Sequence, residues 1–170
     1  MIFLSIGSNL SSKFGNKIAN IKETLENLKK NAIQVINCSS FYETPSYPDK
    51  SNPKFINIVV EVKFEGDHNS LLEKILLIEK KMGRIRKIKN DPRICDIDII
   101  SFNKLVVNSD KLKIPHSSIA GRNFVLFPLK EICPNWTHPI TNKNIDILIK
   151  NLSQSARNEI TRMNESAILL

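Results

Sequence analysis

Cysteine is scarce in this sequence. Only three are present, Cys38, Cys95 and Cys133, and they lie far apart with no Cys-x-x-Cys pair among them. An odd number of widely spaced cysteines argues against a disulfide framework and against a structural zinc site. The natural environment for such a chain is a reducing compartment.

A long hydrophobic run is also missing. The first residues, MIFLSIGSNL, contain no lysine or arginine of the kind that opens a signal peptide. Their apolar stretch is also too short for the core of a signal peptide or for a membrane span. We therefore expect a cytoplasmic protein that does not bind a membrane.

Glycine-rich phosphate loops are absent as well, since neither GxxxxGK(S/T) nor GxGxxG occurs. A nucleotide site would then depend on side chains and metal ions to hold the phosphates.

No internal repeat divides the 170 residues, a length that fits one domain with its own core. We expect that domain over residues 1–152 and a loosely ordered tail over 153–170, where apolar periodicity ends.

Positive charge is plentiful, because 25 lysines and arginines stand against 17 aspartates and glutamates, giving a formal net charge of +8. Basic chains bind polyanions such as nucleic acid or nucleotide phosphates. The lysines are scattered, which indicates a solvated surface and leaves a few arginines for specific roles. A nucleic-acid-binding module is an alternative, although the strand-like FINIVVEV offers only Phe55 as an aromatic platform and no RNP-like motif occurs.

Two stretches repeat apolar residues in steps of four and three, as one face of a helix requires. The first runs from Phe14 to Leu28 and the second from Leu71 to Ile85. Between these helices, IQVINCSSFY indicates one strand, and FINIVVEVKF alternates apolar and polar side chains as a half-buried strand does.

Further strands are predicted at residues 2–6 and 94–102, with a hairpin or meander after the second. The resulting β-α-β, β-α-β order predicts an α+β sandwich of the split βαβ type, in which helices cover a mainly antiparallel sheet. A last short helix is predicted at 144–152, and the segment from 116 to 134 has no clear period.

The stretch DPRICDIDIIS places two acids in an apolar run. Asp96 and Asp98 project from the same face of a strand, about 5–7 Å apart, because the rise is about 3.3 Å per residue. Carboxylates this close repel each other unless cations lie between them, and magnesium is the cation that takes carboxylate and phosphate oxygens together. The alternative is a polar edge strand whose acids pair with surface lysines.

Arginines precede these two acids. Arg84, Arg86 and Arg93 lie within 15 residues of Asp98, and the guanidinium fork matches phosphate oxygens. Acids for a metal and arginines for phosphate together indicate a metal-dependent nucleotide triphosphate site. A nucleotidyl or phosphoryl transferase of several kinds would fit this pattern.

Specific motifs narrow that choice. DPRICDIDII resembles the signature of the 6-hydroxymethyl-7,8-dihydropterin pyrophosphokinases, enzymes of folate biosynthesis. The segments IGSNL, SSFYETP, FINIVVEV, IEKKMGRIRK and IPHSSIAGRNFVLFPLKEICP resemble the same family in its order and at about its spacing. The resemblance covers residues 2 to about 150.

The resemblance implies a ferredoxin-like αβα fold and transfer of pyrophosphate from ATP to the hydroxymethyl oxygen of a pterin, with AMP leaving. It implies that Asp96 and Asp98 bind two magnesium ions and act in catalysis with Arg84 and Arg93. ATP and the pterin are the implied partners, with no nucleic acid, and we expect a monomer. The implied nucleotide-binding residues are Glu79, Arg84, Arg86, Arg93, His116 and Arg122.

The resemblance also implies a pterin pocket. From the residues alone, Asn57 could be a surface amide, Phe124 a core residue and His116 a surface histidine. Matching the family motifs instead gives Asn57 a hydrogen bond to the pterin and makes Phe55 and Phe124 the pocket aromatics. The implied pterin-binding residues are Thr44, Pro45, Tyr47, Phe55, Asn57 and Phe124.

Three positions depart from the family pattern. The loop before the signature lacks the tryptophan that many members carry, and the single tryptophan here is Trp136. Asp91 stands where glycine is usual, and Ser46 stands where many members have a second proline. We expect an active enzyme, because the implied catalytic groups are all present.

Overall fold

A computed structural model describes residues 1–84 and 91–166 of the chain. Ile85, the last residue of the predicted second helix stripe, lies outside this described part, as does Arg86.

Helices and strands alternate along the first part of the chain and give way to short elements in the last part. A 3-10 turn at Ile119–Gly121 precedes the third helix. The elements are β1 (Ile2–Ser8), α1 (Lys17–Lys30), β2 (Gln34–Cys38), β3 (Ser40–Thr44), β4 (Phe55–Lys63), α2 (His68–Lys81), β5 (Asp96–Phe102), β6 (Val107–Asn108), β7 (Lys113–Ile114), α3 (Asn123–Ile132), α4 (Ile145–Asn151), α5 (Gln154–Asn158) and β8 (Thr161–Ser166).

The main sheet has the strand order β5-β1-β4-β3-β8, with β2 also pairing with β4. Its pairings are antiparallel throughout. Helix α1 connects β1 to the β2–β3 strands, and α2 connects β4 to β5, which is the split βαβ arrangement. The prediction of a ferredoxin-like α+β fold with a mainly antiparallel sheet is confirmed.

Two hydrophobic clusters lie on opposite faces of this sheet. One packs α1 and α2 against alternate sheet residues such as Ile58 and Ile97. The other packs α3 and α4 against Phe3, Val59 and Ile100. Because successive strand residues point to opposite faces, the sheet is buried on both sides and the architecture is αβα.

The first two long helices begin at side-chain caps. The carboxamide oxygen of Asn16 accepts the backbone N–H of Ala19, and the Asp67 carboxylate accepts that of Ser70. Each helix ends in a lysine pair, which interacts favourably with the negative end of the helix dipole. The basic pairs at 29–30 and 80–81 therefore lie at helix ends.

The strand predicted over residues 33–42 is divided in two by Ser39. Its backbone N–H donates to Val59 O at 3.0 Å, while its hydroxyl accepts the Val59 N–H at 3.0 Å. The hydroxyl replaces a strand carbonyl in the ladder, and the register against β4 shifts by one residue between Cys38, opposite Val60, and Tyr42, opposite Asn57. Hydrophobic periodicity carries no signal for such a substitution.

The C-terminal part also differs from expectation. Instead of a loosely ordered tail from residue 153, the structure has α5 and then β8, which pairs antiparallel with β3. The reason is a set of specific polar contacts rather than an apolar stripe, such as the hydrogen bonds that the Arg162 side chain donates to the Ser40 hydroxyl. In the described residues, no helix is long and apolar enough to cross a membrane.

Candidate active site

The two acids of β5 lie on the sheet face that α3 covers. Ile97 and Ile99 are buried in the cluster under α1 and α2, so Asp96 and Asp98 point the other way, as the strand period requires. In the sheet register, Asp96 lies opposite Gly7 of β1, which in turn lies opposite Asn57 of β4. The register thus places a predicted metal-binding acid and a predicted pterin-binding amide on either side of one glycine.

Asp96 is held by two arginines. Arg84 Nη1 lies 2.5 Å from its Oδ1, while Arg93 Nε and Nη2 lie 2.6 and 2.5 Å from its Oδ2. Burial opposes ionisation of this carboxyl, yet the Arg93 and Arg84 guanidiniums outweigh burial and keep its pKa below the ordinary value. The Asp96 carboxyl is therefore ionised, and both of its oxygens accept hydrogen bonds from arginines.

Arg84 has a second acidic partner, Glu79 at the end of α2. The Glu79 side chain is buried, forms an ion pair with Arg84 and accepts the backbone N–H of Ile97 at 2.9 Å. This carboxylate ties the start of β5 to α2 and fixes the direction from which Arg84 reaches Asp96. Glu79, predicted to contact nucleotide, is buried and pairs with the same Arg84 nitrogen, Nη1, that contacts Asp96.

Asp98 is engaged by different groups. Arg122 Nη1 lies 2.6 Å from Asp98 Oδ2, and His116 Nε2 lies 4.0 Å from the same oxygen. His116 Nδ1 accepts the backbone N–H of Ser118 at 3.1 Å, which leaves a neutral ring with its proton on Nε2. Burial lowers the pKa of His116, although Asp98 acts in the opposite direction.

The predicted pterin residues converge beside these charges. Asn57 is buried, and its Nδ2 donates to the Thr44 hydroxyl at 3.0 Å. The Arg93 guanidinium lies 5.0 Å from the centre of the Phe55 ring, a cation–π contact. One arginine side chain, that of Arg93, therefore contacts both the Phe55 ring and the Asp96 carboxylate.

A second cation–π contact has the same form. The Arg122 guanidinium lies 5.4 Å from the centre of the Phe124 ring while it also holds Asp98. Tyr47, by contrast, is 83% exposed on the loop between β3 and β4, and Pro45 is half-buried at its start. The structure therefore brings Phe55, Asn57 and Phe124 to the charged cluster and leaves Tyr47 in solvent.

Gly7 is required by the closeness of Asn57. A methyl group at residue 7 would lie 2.7 Å from Asn57 Oδ1, inside the contact distance of real side chains. We expect Gly7→Ala to lower the free energy of unfolding by about 1–3 kcal/mol and to push the Asn57 amide out of place. Urea denaturation and pterin binding measure the two effects.

Gly121→Ala is the matched control for that change, because a methyl group there would meet nothing within 4 Å. Its free energy of unfolding should differ little from that of the unchanged protein. A Gly7→Ala variant as stable as the Gly121→Ala variant would contradict the close approach of Asn57.

Asn9 is a site residue that sequence reasoning missed. Its Oδ1 accepts the Arg93 backbone N–H at 2.6 Å, and its own N–H donates to Arg93 O at 3.0 Å. Its Nδ2 donates to Pro53 O at 3.1 Å and to the Ser46 hydroxyl at 3.3 Å. Asn9 thus joins the β3–β4 loop to the segment that carries Arg93. Its signal in the sequence was its place in the IGSNL motif, to which no role had been assigned.

Two of the positions that depart from the family pattern have contacts in the structure. The Ser46 hydroxyl donates to Pro53 O at 2.7 Å and so closes the β3–β4 loop across its base. The backbone carbonyl of Asp91 accepts a hydrogen bond from Arg93 Nη1 at 3.1 Å. Arg86, predicted to bind nucleotide, lies outside the described residues.

The acids fit magnesium as a donor set. Within residues 1–84 and 91–166, no cluster of three or more His, Cys, Asp or Glu side chains is arranged to hold a metal ion. Magnesium nevertheless commonly binds through one or two carboxylates and completes its shell with phosphate oxygens and water. Asp96 and Asp98 offer two carboxylates from one strand face. In the substrate-free protein, arginines are their counterions.

Comparison with known proteins gives a family. The model of the family 7,8-dihydro-6-hydroxymethylpterin-pyrophosphokinase (HPPK) matches residues 3–134. The 2-amino-4-hydroxy-6-hydroxymethyldihydropteridine pyrophosphokinase of Aquifex aeolicus is 34% identical over 142 residues, which are 84% of this chain and 86% of that protein.

Longer proteins match as well. The folic acid synthesis protein fol1 of Pneumocystis carinii is 36% identical over 144 residues, 85% of this chain but 19% of that protein. The chain thus spans about a fifth of that relative. The crystal structure of Plasmodium falciparum HPPK-DHPS superposes with a TM-score of 0.72 at 19% identity, over 95% of this chain and 47% of that one. That likeness shows a shared fold.

Proposed function

This chain belongs to the 7,8-dihydro-6-hydroxymethylpterin-pyrophosphokinase family, and from that premise we propose that it makes the diphosphate ester of a pterin for folate synthesis. The pterin is 6-hydroxymethyl-7,8-dihydropterin, the donor is ATP and the second product is AMP. We extend the proposal to two magnesium ions as cofactors and to a cytoplasmic, monomeric enzyme.

One observation carries this proposal: the acids, arginines and aromatic rings form a set of two acid–arginine–aromatic groups, whose acids share one face of β5. Asp96 pairs with Arg93, which lies over Phe55, and Asp98 pairs with Arg122, which lies over Phe124. A flat heterocycle needs aromatic faces, whereas a triphosphate needs cations. The two arginine–aromatic contacts place both kinds of group within one side-chain length of each other.

The charges within the set suit an exchange of partners. Without substrate, the arginines neutralise Asp96 and Asp98; with a metal–nucleotide complex, the acids would hold the metal and the arginines would turn to phosphate oxygens. Magnesium bound by Asp96 and Asp98 would supply neutralisation of the triphosphate and polarisation of its phosphorus centre. The guanidinium groups beside these acids would balance the phosphate charge, and positioning and electrostatics would then carry the reaction.

The chain's own residues then have separate roles. The pterin hydroxymethyl oxygen attacks the β-phosphorus, and the bond from the β-phosphorus to the α–β bridging oxygen breaks. AMP leaves with that oxygen, and the hydroxyl proton passes to solvent water. Arg84 and Arg93 balance the charge of the transferred group, and the Nε2–H of His116 donates to a nucleotide oxygen. Asn57, held by Thr44, presents its amide to the edge of the pterin ring.

Product analysis tests the proposal directly. The protein is incubated with 6-hydroxymethyl-7,8-dihydropterin, ATP and magnesium, and the nucleotide and pterin products are separated chromatographically. We expect AMP and a pterin diphosphate in equal amounts, and neither product after chelation of magnesium. Formation of ADP would indicate transfer of a single phosphoryl group, and absence of any pterin product would overturn the proposal.

A further inference from the structure

Residues 153–166, here called the C-terminal segment, contact three of the four elements that carry predicted pterin-binding residues, all but β4. The three contacted elements are the start of α3, the loop between β3 and β4, and β3 itself. Nothing in the sequence motifs of the active site includes this segment. The residues of the segment are therefore separate from those from which the function was inferred, although its partners Ser40, Asn123 and Glu131 lie within the matched motifs.

The first contact reaches the start of α3. Asn123 Nδ2 donates to the backbone carbonyl of Ala156 in α5 at 2.6 Å, and Asn123 Oδ1 accepts the backbone N–H of Phe124 at 2.7 Å. Asn123 thus lies between the C-terminal segment and the backbone of the aromatic residue predicted to stack on the pterin. Its neighbour on the other side, Arg122, pairs with Asp98.

The second contact reaches the β3–β4 loop. Lys50 Nζ lies 2.6 Å from Glu159 Oε1, and the Ser155 hydroxyl donates to the same oxygen at 2.6 Å. This ion pair is exposed, so its own contribution is small. It still shows that the loop carrying Pro45 and Tyr47 lies against the C-terminal segment.

The third contact is the most extensive. Strand β8 pairs with β3, and Arg162, opposite Tyr42, donates from Nε and Nη2 to the Ser40 hydroxyl at 3.0 and 2.9 Å. Arg162 Nη2 also reaches Glu131 Oε1 at 2.9 Å, and Glu131 in turn accepts the Tyr42 hydroxyl at 2.9 Å. One arginine therefore joins β8, β3 and α3.

Strand β3 ends at Thr44, whose hydroxyl accepts the hydrogen bond that orients Asn57. The position of β3 therefore decides where the Asn57 amide points. We propose that the C-terminal segment braces the pterin pocket, with Arg162 as a positioning residue for Asn57 and Phe124. This inference rests on the proposed function, because the pocket that is braced is the predicted pterin pocket.

The brace predicts a selective loss of pterin affinity. In Arg162→Ala, three hydrogen bonds from a charged donor are lost, and we expect the dissociation constant for pterin to rise about three- to tenfold. Affinity for nucleotide should change less than about twofold, because the described contacts of Asp96, Arg84 and Arg93 all lie outside the segment. A variant that merely folded less well would lose active molecules and so weaken binding of both ligands alike.

Fluorescence titration with 6-hydroxymethylpterin, at saturating magnesium and a non-hydrolysable ATP analogue, measures the pterin constant; calorimetry with the analogue alone measures the nucleotide constant. Arg157→Ala is the matched control, because Arg157 lies in the same segment but its side chain bonds only to Lys150 and Gln154 within the described contacts. Arg162→Lys keeps the charge beside Glu131 without the Nε donor, and should recover part of the affinity.

The outcomes separate the two proposals. If the unchanged protein binds pterin and Arg162→Ala binds it equally well, or loses nucleotide affinity in the same proportion, the brace is overturned while the proposed function stands. If the unchanged protein binds no pterin under these conditions, the proposed function falls and the brace falls with it. A selective loss in Arg162→Ala, absent in Arg157→Ala, supports both.

Discussion

Asp96→Asn should abolish turnover. The amide keeps the size of the carboxylate but removes the charge that Arg84 and Arg93 balance and that magnesium would require. Loss of a metal ligand together with misplacement of two phosphate-directed arginines should lower kcat by about 10³-fold or more. The rate of AMP formation at saturating ATP and pterin is the measurement.

The fold should survive this change, because Ile97 and Ile99 on the opposite face of β5 still fill the core. Some stability will be lost, since two arginines lose a partly buried counterion. Asp146→Asn is the matched control: Asp146 forms an exposed ion pair with Lys130 far from the site in sequence, and its variant should turn over normally. An Asp96→Asn variant as active as the Asp146→Asn control would remove the acids of β5 from the mechanism.

How far the sequence anticipates the structure is clearest on β5. The period of two in a strand is enough to place Ile97 and Ile99 in the core and both acids on the other face. The same rule places Asn57 apart from Ile56 and Ile58 on β4. Local alternation and helical steps are physical consequences of geometry, so they predict helices over a mainly antiparallel sheet without any knowledge of contacts. The ferredoxin-like αβα fold was implied by the family resemblance.

Residues that act through distant partners were not predictable in this way. Asn9 bonds to Arg93, which is 84 positions away, and Arg162 bonds to Ser40, which is 122 positions away. Neither pairing has a local pattern, because both depend on how separate elements pack. Helix α3 was also missed, since Pro128 inside it is a helix breaker in sequence terms.

The arginines show a related limit. Their residue type predicts phosphate binding, but the carboxylates that hold them in the substrate-free protein are a property of the assembled site. Arg84 lies between Glu79 and Asp96, and Arg122 reaches Asp98 from the start of α3. The predicted roles and the observed ion pairs are compatible only if the arginines exchange partners when the nucleotide binds.

Arg84→Ala tests this exchange through two effects of opposite sign. Arg84 now competes with any cation for Asp96, and it balances the buried charge of Glu79. Removing it leaves the acids more negative in total, so binding of magnesium alone, measured by calorimetry without nucleotide, should tighten about tenfold. Turnover should nevertheless fall about 10²- to 10³-fold, because the transferred group loses a cation.

The opposite signs make the result diagnostic. If Arg84 were only a structural partner of Glu79, its loss would weaken magnesium binding and turnover together as the start of β5 shifted. Arg84→Lys separates charge from shape, because lysine retains one positive charge between Glu79 and Asp96 but lacks the planar fork that matches phosphate oxygens. We expect this variant to bind magnesium alone as weakly as the unchanged protein does and to recover only part of the turnover. Tighter magnesium binding in Arg84→Ala with unchanged turnover would instead assign Arg84 to the resting state alone, leaving Arg93 as the arginine that meets the phosphates.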